Sequence, residues 1–283
     1  MDAKWNLFID VEKCNGCRNC FVAVKDEYVG NSEPGYFAPQ PVSNATWFSV
    51  EHHERGRAPF TQVTYVPKTC RHCDDAPCLK AATGGAVEKR ADGIVLIHPE
   101  KAGGQKSIVA ACPYGAVVWN EELSLPQAWP FDAHLLDGGW KRTRVEQVCP
   151  TGALKSEKLA DGSRSEKLRI EGWCVPDGEE ATRPRVFYRG LERLDTRLVA
   201  GTVTGDVGGR TECLEGARVS LVLESGATQI AMTDSFGDFR FEAVPHADLV
   251  HLKVECAGYS PYQASIEPEV NEPFGIHLRS GAS

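Results

Sequence analysis

Residues 10–20 read DVEKCNGCRNC and place cysteines at 14, 17 and 20 in a C-x2-C-x2-C run. A second run follows at 70–78, CRHCDDAPC, with cysteines at 70, 73 and 78. Two further cysteines, Cys112 and Cys149, are each followed by proline and then, two residues on, by glycine, in CPYGA and CPTGA. A compact triplet plus one remote Cys-Pro is the way ferredoxin-type clusters are ligated. The loop brings three sulfurs to one face of a cube, and the proline turns the chain away after the fourth and removes a backbone donor there. The competing readings are structural zinc and buried reduced thiols. Two four-cysteine zinc sites would need the same number of sulfurs, but zinc sites usually draw their ligands from paired C-x2-C units.

The chain has 283 residues, eleven cysteines, two methionines and a formal net charge of −8. An odd cysteine count without an export signal at Met1–Asp10 makes a disulfide framework a poor expectation. No run approaches the eighteen apolar residues of a membrane span, and the acidic balance speaks against a nucleic-acid binder. Cys174, Cys213 and Cys256 stand alone and read as small buried hydrophobes. His52 and His53 lie in a polar stretch and read as exposed, whereas His72 sits inside the second triplet, where donation to a cluster sulfur and simple loop packing are both open. No nucleophile–base arrangement and no nucleotide fingerprint are present, so no residue is a catalytic candidate.

The two-cluster ferredoxin run, C-x2-C-x2-C-x3-C-P, also locates cysteines that are missing. After Cys20 its fourth position is Val24, and after Cys78 it is Ala82. Counting back from Cys112 gives Ala102, Gln105 and Ile108; before Cys149 the corresponding positions are Val145, Trp129 and Asp132. Reciprocal pairing then gives two complete sets, Cys14, Cys17, Cys20 and Cys149 in one and Cys70, Cys73, Cys78 and Cys112 in the other. It also gives two vacated sets: Val24, Trp129, Asp132 and Val145, and Ala82, Ala102, Gln105 and Ile108. Random loss of half of sixteen positions would leave two sets intact only about once in two thousand trials, given four thiolates per cluster. The expected cofactors are therefore two [4Fe–4S] clusters.

The segments DVEKCNGCRNC, TYVPKTCRHCDDAPC, DGIVLIHPEKA, AACPYGA and VCPTGA resemble the iron–sulfur subunits of the molybdopterin (DMSO-reductase) oxidoreductase family. KDEYVGNSEPGYFA, AHLLDGGW and RPRVFYRGLERL resemble, within it, the group of pyrogallol–phloroglucinol transhydroxylase and resorcinol hydroxylase small subunits. The resemblance implies an electron-transfer, non-catalytic subunit, with a large catalytic partner holding molybdenum and two pyranopterin guanine dinucleotides. It further implies an anaerobic, cytoplasmic complex, a heterodimer or higher, acting on phenolic rings, with an electron carrier as a possible second partner. Transhydroxylase small subunits have three clusters, so the empty Val24 and Trp129 positions are a departure. The alternatives are a subunit of another molybdopterin respiratory oxidoreductase, a stand-alone ferredoxin-like carrier, or a scaffold using clusters only to fold.

The fold class expected is α+β, with a ferredoxin-like domain at 1–160, a polar connector at 161–196 and an all-β domain at 197–283. Strands are expected at Trp5–Asp10, Gln62–Val66, Gly93–His98 and Ala116–Trp119, and a helix near Lys106–Ala111. The aromatic insert Tyr28–Glu54 reads as a surface loop or a partner contact. From Arg197 onward, short β-type runs at 198–204, 217–223, 227–233, 239–244 and 249–255 alternate with turn residues, and GARVSLVL…TDSFGDFRFEAVP resembles the transthyretin-like (carboxypeptidase-regulatory-like, Ig-like sandwich) fold. This tail carries 6 basic and 12 acidic residues, net −6, which suits a docking or stabilising role.

Overall fold

The computed structural model describes residues 3–281 except 44, 177, 179, 247, 248 and 268–271. The chain divides into two units, one of residues 1–52 and 65–191, the other of 53–64 and 192–283.

In the first unit β1 (Lys4–Asp10) is the middle strand of three. Its run Asn6–Asp10 is almost wholly buried, as expected for a strand covered on both faces. Helix α1 (Asn19–Tyr28) follows the first cysteine triplet, and strands β2 (Phe48–Arg57) and β3 (Phe60–Thr69) form a hairpin sheet that leads into the second. Short pieces then alternate: α2 (Pro77–Ala81), β4 (Val87–Lys89), β5 (Val95–Ile97), α3 (Pro99–Ala102), α4 (Lys106–Ala110), β6 (Val118–Asn120), β7 (Leu125–Gln127), α5 (Ala133–Asp137) and α6 (Arg144–Gln147). Strand β8 (Leu154–Leu159) returns antiparallel to β1, helix α7 (Asp161–Glu171) follows, and β9 (Val186–Arg189) closes the sheet parallel to β1.

Two expectations change here. The stretch read as a connector, 161–196, carries α7 and β9 of the first unit up to Leu191. Its polar helix has no buried residue, which is why the sequence looked like a linker, yet it delivers VFYR to the buried edge of β1. The aromatic insert likewise folds inward instead of lying on the surface. Tyr28, Phe37, Trp47 and Phe48 are all buried, with Tyr28 packed edge-on against Phe37 at 4.6 Å and Phe48 against Trp129 at 5.5 Å.

Arg185, just before β9, is fully buried and is held by Asp74 through two 2.7 Å contacts. Burial lifts the Asp74 carboxyl, but hydrogen bonds from Arg185 and the nearby Lys89 outweigh it, so the group titrates below its ordinary range. The stabilisation is complete above the unfolded carboxylate value near pH 4 and is lost as pH falls through the lower folded value. At pH 7, Asp74→Asn should cost about 3 kcal/mol in urea unfolding, the low end for an orphaned buried charge because Asp161 still reaches Arg185. A midpoint equal to wild type would refute that weight.

The second unit is built mainly of β-strands. Strand β10 (Thr196–Val207) pairs along its length with β11 (Arg210–Cys213), β14 (Asp238–Pro245) and, in parallel, β17 (Phe274–Leu278). A second sheet has the order β13 (Thr228–Met232), β12 (Arg218–Leu223), β15 (Val250–Glu255), β16 (Tyr262–Ile266). Alternate residues of both sheets, among them Val203, Val219, Leu221, Phe239, Phe241 and Leu252, form one apolar core. The tip of the β2–β3 hairpin belongs to this unit: buried Arg55 donates to the carbonyl oxygens of Thr196 (2.8 Å) and Glu242 (3.3 Å).

Candidate iron–sulfur centres

The first cysteine set is built by two loops that meet. Cys20 sits in the first turn of α1 and is buried, Cys14 is half-buried, and Cys17 is exposed. The Asn15 side chain accepts from the Cys17 N–H at 3.2 Å, which shapes the loop. Cys149 follows α6, and Asn19 Nδ2 reaches the Val148 carbonyl at 3.4 Å, tying the start of α1 to the CPTGA segment. The sulfurs of Cys17 and Cys149 lie close enough to those of Cys14 and Cys20 to help push both of the latter thiols up, on top of their burial.

In the second set, Cys70 directly follows β3, Cys78 lies in α2, whose first residue is Pro77, and Cys112 follows α4. Cys70, Cys73, Cys78 and Cys112 line one small pocket together with Arg71, Val95, Tyr114 and Val117. Arg71 lies over the Tyr188 ring at 4.8 Å and the Tyr114 ring at 5.7 Å.

The two Cys-Pro segments make the same turn. The Cys112 carbonyl accepts from Gly115 N–H and the Cys149 carbonyl from Gly152 N–H, both at 3.3 Å. Proline takes the second position, and both glycines have positive φ, +60° and +66°. This is why the motif is CPxGA in both places: the turn aims each cysteine side chain back toward its triplet.

Burial dominates the thiols. It pushes Cys20 up to about 12 and Cys78 up to about 11, and also raises Cys14, Cys70 and Cys73. Opposing this are donors aimed at sulfur: backbone N–H groups of Gly16 to Cys14, Phe21 to Cys20, His72 to Cys70 and Leu79 to Cys78, and the Thr182 hydroxyl to Cys73. Sulfurs so buried and yet so supplied with donors suit anionic ligands whose charge is shared with a metal cluster. Among the described residues no three His, Cys, Asp or Glu groups are placed to hold a single metal ion. One tetrahedral zinc needs its sulfurs roughly 3.8 Å apart, from Zn–S bonds of about 2.3 Å. A four-iron cube spreads its sulfurs wider, and a triplet plus a remote Cys-Pro is the ligand pattern of a cube.

The eight positions expected to be vacated are filled in two ways. Val24, Trp129, Asp132 and Val145 are all buried. Asp132 Oδ1 accepts from the Tyr28 hydroxyl at 2.6 Å and from Trp129 Nε1 at 2.9 Å, while Oδ2 accepts from Arg144 N–H at 2.7 Å. Both carboxylate oxygens are thus occupied. Ala82, Ala102 and Ile108 join Cys73, Cys78 and Cys112 in one apolar cluster, and Gln105 closes its edge by accepting from Thr83 N–H at 2.9 Å and donating to the Lys101 carbonyl at 2.8 Å.

His72 is buried with φ +47°. Its Nδ1 accepts from Val95 N–H at 3.1 Å, its ring stands edge-on to Trp129 and Phe131, and burial pulls its pKa down to about 3. The ring packs in the loop, and the contribution toward sulfur comes from the His72 backbone. His52 is exposed and His53 half-buried on β2. Cys174 and Cys213 are exposed, contrary to the buried hydrophobes expected, and Cys256 packs against the core of the second unit. The reading of the sequence missed Thr182 and Asn15, whose roles depend on loops meeting in space and leave no spacing signal.

Residues 61–159 match the family model described as a 4Fe-4S dicluster domain. The pyrogallol hydroxytransferase small subunit of Pelobacter acidigallici is 38% identical over 265 residues, 91% of this chain and 93% of that one. The arsenate respiratory reductase iron–sulfur subunit of Shewanella sp. (strain ANA-3) is 32% identical over 133 residues, 47% of this chain and 52% of that one. A tetrathionate reductase subunit of Salmonella typhimurium is 28% identical over 193 residues, covering 67% and 73%. No helix among the described residues is long and apolar enough to cross a membrane. With full-length similarity of this kind and the cysteine framework in place, the chain belongs to the iron–sulfur subunit family that includes the pyrogallol hydroxytransferase small subunit.

Proposed function

We propose that this chain is the electron-transfer subunit of a molybdenum hydroxylase or transhydroxylase acting on phenolic rings of the resorcinol or pyrogallol type. The observation that carries the reading is the pair of four-thiol groups, each assembled from a triplet and a remote Cys-Pro turn, in a chain similar along nearly its whole length to a pyrogallol hydroxytransferase small subunit. Cys14, Cys17, Cys20 and Cys149 hold one cluster, and Cys70, Cys73, Cys78 and Cys112 the other. When bound, each cluster supplies reversible one-electron storage. The protein's share is to bury the sulfurs, to aim backbone N–H groups and Thr182 at them, and to exclude water, all of which set the potential.

The catalytic partner is a large subunit carrying molybdenum and two pyranopterin guanine dinucleotides, in a cytoplasmic heterodimer or larger complex. The relatives named for arsenate and tetrathionate reduction keep the respiratory alternative in the same superfamily. The C-terminal unit is read as a transthyretin-like (Ig-like) sandwich that docks or stabilises, on the strength of its two facing sheets and acidic balance.

Anoxic purification of the full chain should give about eight iron atoms per chain and a reductant-sensitive paramagnetic signal. A large molybdenum-containing subunit should come with it. Iron near four or zero would sink the two-cluster reading, and a stable monomer with no large partner would favour a free-standing carrier.

A further inference from the structure

A surface pocket of about 550 Å³ lies in the first unit, beside the second cysteine set and apart from the sulfurs. Among its described lining residues Arg90 is already taken by Asp92 at 2.9 Å and Asp137 at 2.7 Å, which leaves Lys4, Lys89, Arg164 and Arg183 against Asp74 and Asp161, an excess of +2 on a chain whose formal net charge is −8. The two carboxylates are already shared. Asp74 is held by buried Arg185 at 2.7 Å and by Lys89 at 3.1 Å, with Arg164 at 3.8 Å. Asp161 takes Arg164 at 3.0 Å, Arg185 at 3.1 Å and Lys4 at 3.4 Å. Four cations therefore converge on two carboxylates, and all four side chains are at most 30% exposed.

An uncompensated excess of partly desolvated positive charge is costly unless a further anion shares it. Burial pulls the Arg164 pKa down, and repulsion from Arg185 adds to it, while Asp161 and Asp74 oppose both. Arg164 also has a buried Nε with no hydrogen-bond partner, and Arg183 stands exposed at the rim. Guanidinium forks paired with a flexible ammonium such as Lys4 match tetrahedral oxyanions, which accept several donors at once.

We propose that this pocket is a binding site for a small, doubly charged oxyanion of the phosphate class, held by Arg164, Arg183 and Lys4. It is independent of the cysteine sets and asks nothing of their occupancy.

The test is equilibrium dialysis of the anoxically purified full chain, with any subunit that accompanies it, against labelled inorganic phosphate at constant chloride. One saturable phosphate per chain is expected. Arg164→Gln and Arg183→Gln should each weaken it at least about tenfold, the loss of one charge-assisted hydrogen bond. Lys141→Gln, an exposed cation that does not line the pocket, should leave it unchanged. Arg183 is exposed, so its variant should fold even if the Arg164 variant does not. The proposal is overturned by the absence of saturable binding up to about 10 mM, or by binding that Arg183→Gln leaves untouched or that Lys141→Gln weakens equally.

Discussion

Cys149→Ala is expected to remove one four-iron centre whole and leave the other intact. Iron should fall from about eight to about four atoms per chain, because a cube with three thiolates and one labile corner is lost during purification. The effect is confined because the sets share no segment. Cys149 answers to Cys14, Cys17 and Cys20, whereas Cys70, Cys73 and Cys78 answer to Cys112. Cys112→Ala should take the other four iron atoms and also cost more stability. Cys73 and Cys78 belong to the apolar cluster with Val87, Val95 and Ile108, so an unfilled pocket there is a cavity in a core. The first set, with Cys17 exposed and Cys14 and Cys149 half-buried, has less packing to lose. Iron counting, the spectrum of the remaining centre, and urea unfolding of both variants decide the matter. Retention of about eight iron atoms in Cys149→Ala would mean that the fourth ligand is another residue.

The cysteine framework was legible because cluster ligation imposes a spacing that ordinary packing does not. The four expected strands and the helix after Gln105 overlap observed strands and a helix, since each carries a short apolar run next to a Gly, Pro or Cys punctuation. In the tail, the runs at 198–204, 217–223, 227–233, 239–244 and 249–255 coincide with strands, but β11, β16 and β17 were missed. The residues of β11 are all exposed, and β16 and β17 bury only one and two of five, so neither offers a long period-two signal. The inward turn of the aromatic insert was illegible for a different reason. Trp47 and Tyr28 pack with ring centroids 5.0 Å apart, a contact made only in the assembled fold.

The same buried region sets the largest stability prediction outside the cysteines. Asp132→Ala should destabilise the protein by about 4 kcal/mol, because it strands the Tyr28 hydroxyl, the Trp129 indole N–H and the Arg144 backbone N–H, each in or beside a fully buried side chain. Alanine would further have to adopt φ +53°, which aspartate and asparagine tolerate better. Asp132→Asn keeps the backbone and one accepting oxygen but points an NH2 at the Arg144 N–H, so about half the loss is expected. The charge itself is not the source of the stabilisation. Burial lifts the Asp132 carboxyl above its ordinary value, and the Tyr28, Trp129 and Arg144 donors only partly reverse it. A raised carboxyl costs stability as pH climbs past its unfolded value, so what the side chain contributes is three satisfied donors. Thermal unfolding of both variants measures the effect, and iron content separates the two roles that aspartate could have in a cluster position. Since neither carboxylate oxygen is free, a folded Asp132→Ala protein should keep its full iron complement. A wild-type content of about twelve iron atoms that falls to about eight in a variant that still folds would make Asp132 a cluster ligand, and the third cluster position would then be altered, not abandoned.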